Sequence, residues 1–440
     1  MILQCDAFTL ELGTLHLSGD GFSLSGGQIA HIHGLSGSGV NDLLLLIAGL
    51  QNIRGQTSPA QGKKVIRTPK YVSIEKLMFL RLLSKPLYEY PDQERARLVG
   101  VIFENPELFI VGRNVLEDFQ YAFAALGYPP PDNRLLKEYG LYEKTLRRTE
   151  HLSGGEQHRL NCASALTLGH KLIIADFSYS NLDADFLKTL YSYLIKSAKG
   201  ETALIVHGLP RNPSFNAASM SLVVEDGKLS LKDPDPNIFP TSDEERRRLT
   251  HAFQSRSIGS GAVLKVDGLC RSGVTQPVFF DIKENEIVQI WGQNGCGKTT
   301  LGKSIVGIFK KFDGTFSLDS GVEPVLCLQN PERQFIEMSV IREMPDKELL
   351  QFIDISEKDW NTHPRSLCRA KQKLLGTLLT LRRSKGLTIL DEPTSGLDFP
   401  SKLTFIKLLN KFSDRAVLIF THDEAIADIG RKLAWEGITS

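Results

Sequence analysis

The stretch that most constrains the fold of this chain is residues 292–300, which read GQNGCGKTT. It follows an apolar run at 287–291 that predicts a buried strand, and it precedes residues 301–309, whose apolar spacing predicts a helix. Such a turn lets backbone N–H groups surround phosphate oxygens, where the helix dipole adds its positive end. A glycine-rich turn without a ligand is the alternative, but it leaves the Lys and Thr at the motif's spacing unexplained. The stretch therefore predicts a phosphate-binding loop in an α/β domain.

Individual residues of this loop have predicted roles. Lys298 would reach the β and γ phosphates of a nucleotide, and the hydroxyl of Thr299 would bind Mg²⁺. Cys296 occupies a free position of the motif, where a small tolerated side chain is the simpler interpretation and a redox role the alternative. The residues predicted to bind nucleotide here are Gly292, Asn294, Gly295, Cys296, Gly297, Lys298, Thr299 and Thr300.

Charge balance and cysteine usage narrow the class of protein. Lys and Arg number 52 against 51 Asp and Glu, a net charge of +1, so no overall field points to nucleic acid. The six cysteines lack metal-ligand or disulfide-framework spacing, which favours a reducing cytosol. No secretory signal opens the chain, and the longest apolar stretches, such as residues 43–50, are too short to span a bilayer. A role at a membrane would therefore need a separate spanning partner.

The sequence contains two copies of one module. Four landmarks recur at a single spacing of 215 positions: Leu152 and Leu367, Asp176 and Asp391, Asp183 and Asp398, and His207 and His422. Residues 34–41, GLSGSGVN, repeat the glycine loop, but Val40 replaces the lysine and Asn41 replaces the hydroxyl. One shared spacing predicts two copies of one α/β module. The first loop could keep its shape and still bind nucleotide poorly.

The copies define a domain plan of 1–232, a linker at 233–261, and 262–440. The linker contains DPDP and the run DEERRR, in which Pro interrupts regular structure and the charges indicate a short solvated helix. The first copy carries extra residues between its loop and Leu152, mostly in the polar stretch 54–97. That stretch is interpreted as a solvated elaboration, with a partner surface as the alternative.

Apolar runs alternate with helical segments in both copies. Residues 172–174, 204–206, 387–390 and 416–420 have the composition of buried strands. This pattern predicts α/β domains with largely parallel sheets. Asp391 and Glu392 directly follow one predicted strand, so they should emerge at its C-terminal end, where ligands of parallel sheets bind. An Asp there can hold Mg²⁺, and the adjacent Glu can polarise an attacking water.

With these residues in view, the chain resembles a tandem ATP-binding cassette (ABC) ATPase over nearly all of its length. The resemblance rests on the loop at 292–299, on residues 390–398, on His422 in FTHD, and on LSGGEQ at 152–157, the cassette signature. The Q-loops, LQNPERQF at 328–335 and FENPELF at 103–109, are similar to those of energy-coupling-factor and cobalt-type importers. The resemblance implies two P-loop cassettes, each with a parallel sheet core, an antiparallel β lobe and a helical signature subdomain.

In that family, ATP and Mg²⁺ lie between the glycine loop of one cassette and the signature of the other. The second copy keeps Lys298, Gln329 and Glu392, but its signature is degraded to LCRAK at 367–371. The first copy has lost its lysine and has Glu104 and Phe177 in place of the Q-loop glutamine and the catalytic glutamate. These losses are complementary. They imply one complete composite site, to which the first copy contributes Ser153, Gly154, Gly155 and Glu156.

The resemblance also implies a role for each residue of the complete site. Glu392 is expected to be the general base, with Asp391, Thr299 and Gln329 as Mg²⁺ ligands or close to the metal, and His422 at the γ-phosphate. The predicted catalytic residues are thus Glu392, His422 and Gln329. The second site is expected to be catalytically silent, because losing the lysine removes a charge-assisted bond worth about 1.5–3 kcal/mol.

Three functions remain open at this point. The first is the energising subunit of an importer of vitamins or metal ions, with an integral membrane partner, no nucleic acid partner, and a cytoplasmic location on the inner face of the membrane. The second is a soluble ABC protein that acts on ribosomes or DNA, and the third is a nucleotide-dependent switch with little turnover. Pairing of the two cassettes within one chain is the simpler arrangement.

Overall fold

The computed structural model describes residues 1–12, 15–50, 53–54, 72–73, 78–102, 106, 109–152, 154–177, 184–198, 200–208, 217–270, 276–292, 296–310 and 312–435. These residues divide into two units, Met1–Pro236 and Asn237–Ser440. Some residues named above lie outside the described residues, namely Glu104, Ser153, Asp183, Asn294 and Gly295. Within the described ranges, no helix has the length and apolar character needed to cross a bilayer.

The first unit alternates strands and helices along the chain. Its strands are β1 (Leu3–Cys5), β2 (Phe8–Leu12), β3 (Leu15–Gly19), β4 (Phe22–Leu24), β5 (Ile29–Gly34), β6 (Ile53–Arg54), β7 (Val72–Ser73), β8 (Leu80–Leu82), β9 (Lys85–Pro86), β10 (Val99–Ile102), β11 (Leu172–Asp176), β12 (Ala203–His207), β13 (Met220–Glu225) and β14 (Lys228–Leu231). Its helices are α1 (Val40–Ile47), α2 (Asp92–Leu98), α3 (Val115–Ala125), α4 (Gly154–Thr167) and α5 (Ala184–Ala198).

An eight-stranded sheet forms the centre of the first unit, in the order β10-β11-β12-β5-β13-β14-β3-β2. The five strands from β10 to β13 run parallel. Strands β11 and β12 are buried at every residue. Their apolar runs suit this position, because strands of a parallel sheet are covered on both faces. The prediction of a parallel core in this copy is confirmed.

A four-stranded antiparallel sheet, β4-β1-β8-β9, forms the β lobe of the first unit. Leu80 and Leu82 of β8 are fully buried, as is Leu87, and Leu82 lies opposite Leu3 of β1. The hydroxyl of Tyr88 donates a hydrogen bond to the backbone oxygen of Leu46 in α1. The interpretation of 54–97 as a solvated elaboration is therefore wrong for residues 80–88, because the alternate leucines of β8 belong to the core.

The second unit has the same plan with fewer strands. Its strands are β15 (Ala262–Cys270), β16 (Val278–Lys283), β17 (Ile287–Trp291), β18 (Asp313–Leu318), β19 (Val325–Cys327), β20 (Leu387–Asp391), β21 (Ala416–Thr421) and β22 (Arg431–Ala434). Its helices are α6 (Ser242–Ala252), α7 (Lys298–Ile305), α8 (Val340–Glu343), α9 (Lys347–Phe352), α10 (Arg369–Arg383) and α11 (Phe399–Lys411).

A five-stranded parallel sheet, β19-β20-β21-β17-β22, forms the centre of the second unit, and an antiparallel lobe has the order β16-β15-β18. Strands β17, β20 and β21 are buried at every residue. Because the strands are parallel, β17 and β20 both end at the same edge of the sheet. The loop after β17 and the acidic residues Asp391 and Glu392, at the end of β20, are brought together at that edge.

Helix α6 packs on the second unit, although it lies within the segment predicted as a linker, 233–261. Arg246 makes two hydrogen bonds of 2.7 Å to the carboxylate of Asp428. Lys402 of α11 lies 3.1 Å from a carboxylate oxygen of Glu245 and 2.9 Å from one of Asp423. Most of the segment thus belongs to the packed part of the second unit, and the division between the units falls after Pro236.

Candidate functional site

The phosphate-binding loop of the second unit joins β17 to α7. Gly297 caps α7 with a φ of 108°, a left-handed conformation that L side chains rarely adopt. A Cβ added at Gly292 would lie 2.6 Å from the backbone oxygen of Trp435, so the chain there passes too close for any side chain. Both glycines are therefore required by the local backbone. The helix spans Lys298–Ile305, so the prediction of a helix after the loop is confirmed, but its predicted bounds of 301–309 start three residues late and end four residues late.

Lys298 is buried and reaches toward the acidic end of β20. Its side-chain Nζ donates a hydrogen bond to the backbone oxygen of Gly292 and lies 3.7 Å from Oε1 of Glu392. A buried ammonium beside the loop can make charge-assisted bonds to phosphate oxygens. The lysine and the predicted general base therefore share one small site, as the sequence predicts for residues that act on the same phosphate.

Thr299 and Asp391 form a pair of oxygen donors next to this lysine. The Thr299 hydroxyl donates a hydrogen bond of 2.6 Å to Oδ2 of Asp391. Burial raises the pKa of Asp391, which the bond from Thr299 and the charge of Lys298 partly offset. A hydroxyl and a carboxylate are the hard oxygen ligands that Mg²⁺ prefers. The pair thus fits the metal that the loop implies.

Glu392 is held in an unusual backbone conformation. Its φ is 47°, in the left-handed region, and it precedes Pro393, a position where extended backbone is favoured. Such a conformation costs on the order of 1–3 kcal/mol and is typical of functional sites. The side chain is buried, and within the described residues its Oε2 has no hydrogen-bond partner. One carboxylate oxygen therefore remains for a further ligand such as a water.

His422 lies directly against this carboxylate. Its Nδ1 is 2.9 Å from Oε1 of Glu392, so the imidazole donates the hydrogen bond to the carboxylate. Burial lowers the pKa of His422, but the hydrogen bond and charge of Glu392 raise it more, and the net pKa is above its ordinary value. Two of the three residues predicted to be catalytic are thus in contact.

Gln329, the remaining predicted catalytic residue, follows β19 by two positions. Strand β19 is the neighbour of β20, so Gln329 lies at the same edge of the sheet as Asp391. In the described part of the chain its side chain makes no hydrogen bond to Thr299 or Asp391. The Q-loop is instead closed by Gln334, which bonds to the backbone of Leu326 and Leu328. A role for Gln329 at the metal stays a prediction.

Lys373 of α10 is a residue that the motif analysis did not identify. It is buried, and its Nζ donates a hydrogen bond of 2.9 Å to the backbone oxygen of Glu392. Burial and the nearby charge of Arg369 lower its pKa to about 8, against the opposing effect of Glu392. The face of α10 that carries Lys373 also carries Gly376, Thr377 and Thr380, so no apolar pattern in the sequence marked the lysine as buried.

Two aromatic residues that the sequence did not single out lie beside the loop. Phe312 and Trp435 line a pocket together with Leu269, Cys270, Gly297, Thr300, Leu301 and Ser304. Trp435 is buried, and its indole N–H has no hydrogen-bond partner among the described residues. Trp435 is separated from the loop by about 140 positions, so spacing alone could not place it there.

The first unit keeps the backbone of the site but not its chemistry. Gly39 caps α1 with a φ of 94°, as Gly297 caps α7, but the helix begins at the buried Val40. Phe177, which replaces the glutamate, is also buried. His207 donates from Nδ1 to Oδ1 of Asp176 at 3.0 Å. These residues provide neither a cation for phosphate nor a base for water.

Strand register corrects one prediction about the first unit. Asp176 pairs with His207 in the sheet, whereas the equivalent Asp391 pairs with Phe420. His207 therefore occupies the position of Phe420, and the prediction that it corresponds to His422 is wrong. A shift of two residues keeps every side chain on the same face of the strand. The apolar pattern of the sequence cannot detect it.

The two signature segments differ at the start of their helices. Helix α4 begins at Gly154, and the buried Glu156 pairs with Lys144 and lies 3.8 Å from Arg147. Helix α10 begins at Arg369, which donates to Oδ1 of Asn330 in the Q-loop of its own unit at 3.4 Å. The glycine-rich helix start is retained only in the first copy.

Comparisons with known proteins agree with this arrangement. The sequence pattern of the ABC transporter family matches residues 17–177 and 275–395, more than half of the chain. A Treponema denticola protein, itself assigned only provisionally as an ABC transporter ATP-binding protein, is 26% identical over 91% of this chain and 87% of its own length. The ribose import ATP-binding protein RbsA of Bacillus licheniformis is 23% identical, covering 94% and 89%.

Among solved structures, RNase-L Inhibitor has a similar fold, with a TM-score of 0.61 and 18% identity over 98% of this chain and 90% of that one. The family match covers both copies and includes the loop at 292–300 and the acidic residues at the end of β20. The chain therefore belongs to the ABC transporter family, as an ABC-type ATPase with two cassettes.

Proposed function

We propose that the chain hydrolyses ATP at one asymmetric composite site and thereby energises a membrane importer of the energy-coupling-factor type, for vitamins or metal ions. The observation that carries the catalytic part is the cluster around Glu392. This carboxylate contacts His422 through Oε1, lies 3.7 Å from the Lys298 ammonium, and keeps Oε2 unpartnered within the described residues. A base, a cation and a hydrogen-bonded imidazole are the groups that attack of water on a phosphate needs.

Each residue of the cluster has a proposed role. Glu392 accepts the proton of the attacking water, and His422 orients Glu392 and contacts the γ-phosphate. Lys298 and the loop amides bind the β and γ phosphates, while Thr299, Asp391 and Gln329 hold or surround Mg²⁺. The metal, when bound, neutralises charge on the phosphate oxygens. ATP and Mg²⁺ are thus the proposed cofactors.

The first cassette would complete this site with its signature, Ser153, Gly154, Gly155 and Glu156, in an intrachain pairing of the two copies. The support is the complementary distribution of groups between the copies. The first unit offers a glycine-rich helix start but has Val40 and Phe177 at its own catalytic positions. Backbone amides at a helix start bind anions, whereas Arg369 replaces the first signature glycine in the second copy.

ATP turnover of the purified chain tests the one-site proposal. Glu392→Gln removes the base and Ser153→Arg blocks the intact signature, so each should lower kcat by about a hundredfold or more. Cys368→Arg makes the same chemical change in the degraded signature and is the matched control, with turnover close to wild type. Equal damage from Ser153→Arg and Cys368→Arg would show that both signatures function, and the one-site proposal would be wrong.

Two ordered loops support the proposal of a membrane partner. In the second unit, a carboxylate oxygen of Glu343 accepts the backbone N–H groups of Ile336 and Glu337, at 2.8 and 2.7 Å. In the first unit, Asp118 accepts those of Val111 and Gly112 in the same way, at 2.7 and 2.9 Å. Both loops follow the Q-loop of their own cassette. A buried carboxylate therefore orders the corresponding loop in each of the two copies.

Each of these loops presents apolar side chains to solvent. Ile336 is 81% exposed and Met338 is 71% exposed in the second unit, and Val111 is 65% exposed in the first. Exposed apolar residues on a rigid loop indicate a protein contact, because both the desolvation gain and the low ordering cost favour binding. We assign this contact to a short helix of an integral membrane component. The chain would then lie on the cytoplasmic face of the membrane.

Recovery of the partner from native membranes tests this assignment. After detergent extraction, wild-type chain should retain an integral membrane protein, and Ile336→Asp or Val111→Asp should lose it. Ile308→Asp changes a side chain that is 68% exposed elsewhere in the second unit and is the matched control. Recovery that is the same for all variants would exclude these loops as the contact, and absence of any integral membrane partner would exclude the importer.

A soluble role on ribosomes is the second candidate. RNase-L Inhibitor and an archaeal ABCE1 crystallised with the ribosomal stalk protein aP1 share the fold over 98% of this chain. The balanced charge of the chain argues against a nucleic acid partner. Salt-sensitive co-sedimentation of the chain with ribosomes would favour this candidate over the importer.

A further inference from the structure

Helix α10 is fixed against the Q-loop of the second unit. A Cβ added at Gly376 would lie 2.4 Å from the Cβ of Pro331, so the helix and the loop are in direct contact at that glycine. Arg369, at the start of the helix, bonds to Asn330 of the same loop. Lys373 is one turn before Gly376 and therefore shares its face of the helix. The backbone that carries the Lys373 side chain is therefore fixed.

The buried Lys373 ammonium donates a hydrogen bond to the backbone carbonyl of Glu392, the proposed general base. The oxygen of Glu392 accepts the bond from Lys373 at 2.9 Å and a weaker one from the N–H of Ser395 at 3.3 Å. The N–H of Glu392 donates to the backbone oxygen of Phe420 at 2.9 Å. A left-handed residue before proline persists only where its surroundings determine it. The ammonium bond is charge-assisted and so is the strongest donor to that carbonyl.

The first unit provides an internal comparison. The counterpart of Lys373 in α4 is His158, which is also buried. Burial lowers the pKa of His158 to about 4, and its Nδ1 has no hydrogen-bond partner among the described residues. The counterpart of Glu392 there is Phe177. At this position of the signature helix, the copy with the glutamate has a lysine and the copy without it has a histidine.

We propose that Lys373 is a positioning residue for hydrolysis, whose ammonium fixes the left-handed backbone of Glu392 and so holds its carboxylate between His422 and Lys298. This inference rests on the proposed role of Glu392 as general base. It assigns the degraded signature helix a function within its own cassette, in place of contact with nucleotide. The helix then connects the Q-loop, through Asn330 and Pro331, to the catalytic carboxylate.

Steady-state ATPase kinetics of the full chain test the proposal. Lys373→Met keeps the length of the side chain and removes the donor, so kcat should fall by about tenfold to a hundredfold, the cost of a small misplacement of a catalytic group. The KM for ATP and the affinity for nucleotide should stay within about twofold, because phosphate binding does not use Lys373. Lys373→Arg, which retains a cationic donor, should recover part of the loss.

Thr380→Val is the matched control, since Thr380 is buried two turns further along α10 and bonds to the oxygen of Gly376 and to the side chain of Cys327 rather than to Glu392. It should leave kcat unchanged. A wild-type kcat in Lys373→Met, or a parallel change of kcat and KM with no recovery in Lys373→Arg, would overturn the proposal. If Lys373→Met does not fold, a kcat in Lys373→Arg as low as that of Glu392→Gln would overturn it too. Normal turnover in Glu392→Gln would instead reject the proposed general base.

Discussion

The buried Lys373 predicts a specific change in how the stability of the second unit depends on pH. Burial, with the charge of Arg369, lowers the pKa of Lys373 to about 8 in the folded chain, against its ordinary value of 10.5. At a pH between these two pKa values, Lys373 is deprotonated in the folded chain and still protonated in the unfolded chain. The unfolding free energy therefore rises with pH in this window. Lys373→Met has no such group and lacks this rise.

The size of the effect follows from the two pKa values. With a folded pKa of about 8 and an unfolded pKa of 10.5, proton linkage at Lys373 increases the unfolding free energy of wild type by roughly 2–3 kcal/mol from pH 7 to pH 10. The difference in unfolding free energy, wild type minus Lys373→Met, should increase by that amount over the same range.

Tryptophan fluorescence makes this measurable in a chain of two units. All three tryptophans, Trp291, Trp360 and Trp435, lie in the second unit. Denaturant unfolding followed by their emission therefore reports on that unit alone, which avoids fitting a two-unit chain as one transition. Thr380→Val serves as the control, with a stability difference from wild type that does not vary with pH. A constant difference between wild type and Lys373→Met from pH 7 to pH 10 would refute the reasoning.

Three other substitutions give independent predictions. Gly376→Ala places a Cβ 2.4 Å from that of Pro331, so the unfolding free energy of the second unit should fall by about 1–3 kcal/mol in the same fluorescence assay, and an unchanged midpoint would contradict this contact. Glu343→Ala removes the acceptor of two loop N–H groups, so amide hydrogen exchange at residues 336 and 337 should accelerate while α7 stays protected; equal protection would mean that Glu343 does not order the loop. Thr299→Val removes the hydroxyl bonded to Asp391, and the Mg²⁺ concentration for half-maximal ATPase should rise about tenfold, whereas an unchanged Mg²⁺ dependence would exclude the hydroxyl from the metal site.

The sequence predicts the central sheets well because their signal is local. Residues 287–291 were predicted as a strand from their apolar run, and β17 has those bounds. The helix after the loop and the position of Asp391 at a strand end followed from the same kind of signal. A buried strand of a parallel sheet is apolar on both faces, so its composition alone identifies it.

Strand register could not be predicted in the same way. His207 and His422 have the spacing shared by the other landmarks, yet β12 is shifted by two residues relative to β21. The preceding helix absorbs the difference, because α5 has 15 residues and the corresponding α11 has 13. Since the face of a strand alternates with a period of two, the shifted and unshifted alignments bury the same side chains. Only the hydrogen-bond pairing between strands distinguishes the shifted alignment from the unshifted one.

Contacts between distant segments were also beyond local patterns. The charged residues of α6 indicated a solvated helix, but Arg246 and Glu245 find partners on residues more than 150 positions away. Lys373 was not identified for the same reason, because its significance depends on a backbone carbonyl of another element. A charged residue contributes the same signal to the sequence pattern whether its side chain contacts water or a buried group.

The losses in the first cassette are physically coupled. A glutamate at position 177 would be a buried charge, and without a lysine at position 40 it would lack the cation that lies 3.7 Å from Glu392 in the second copy. Removing one member of a buried pair costs about 3–5 kcal/mol, so after the loss of either group the other destabilises the fold. Val40 and Phe177 now pack in apolar clusters, which restores the stability that a lone charge would remove. Gly39 remains because the left-handed start of α1 is needed whether or not nucleotide binds. A cassette that loses its lysine therefore keeps its loop and sheet but is expected to lose its glutamate as well.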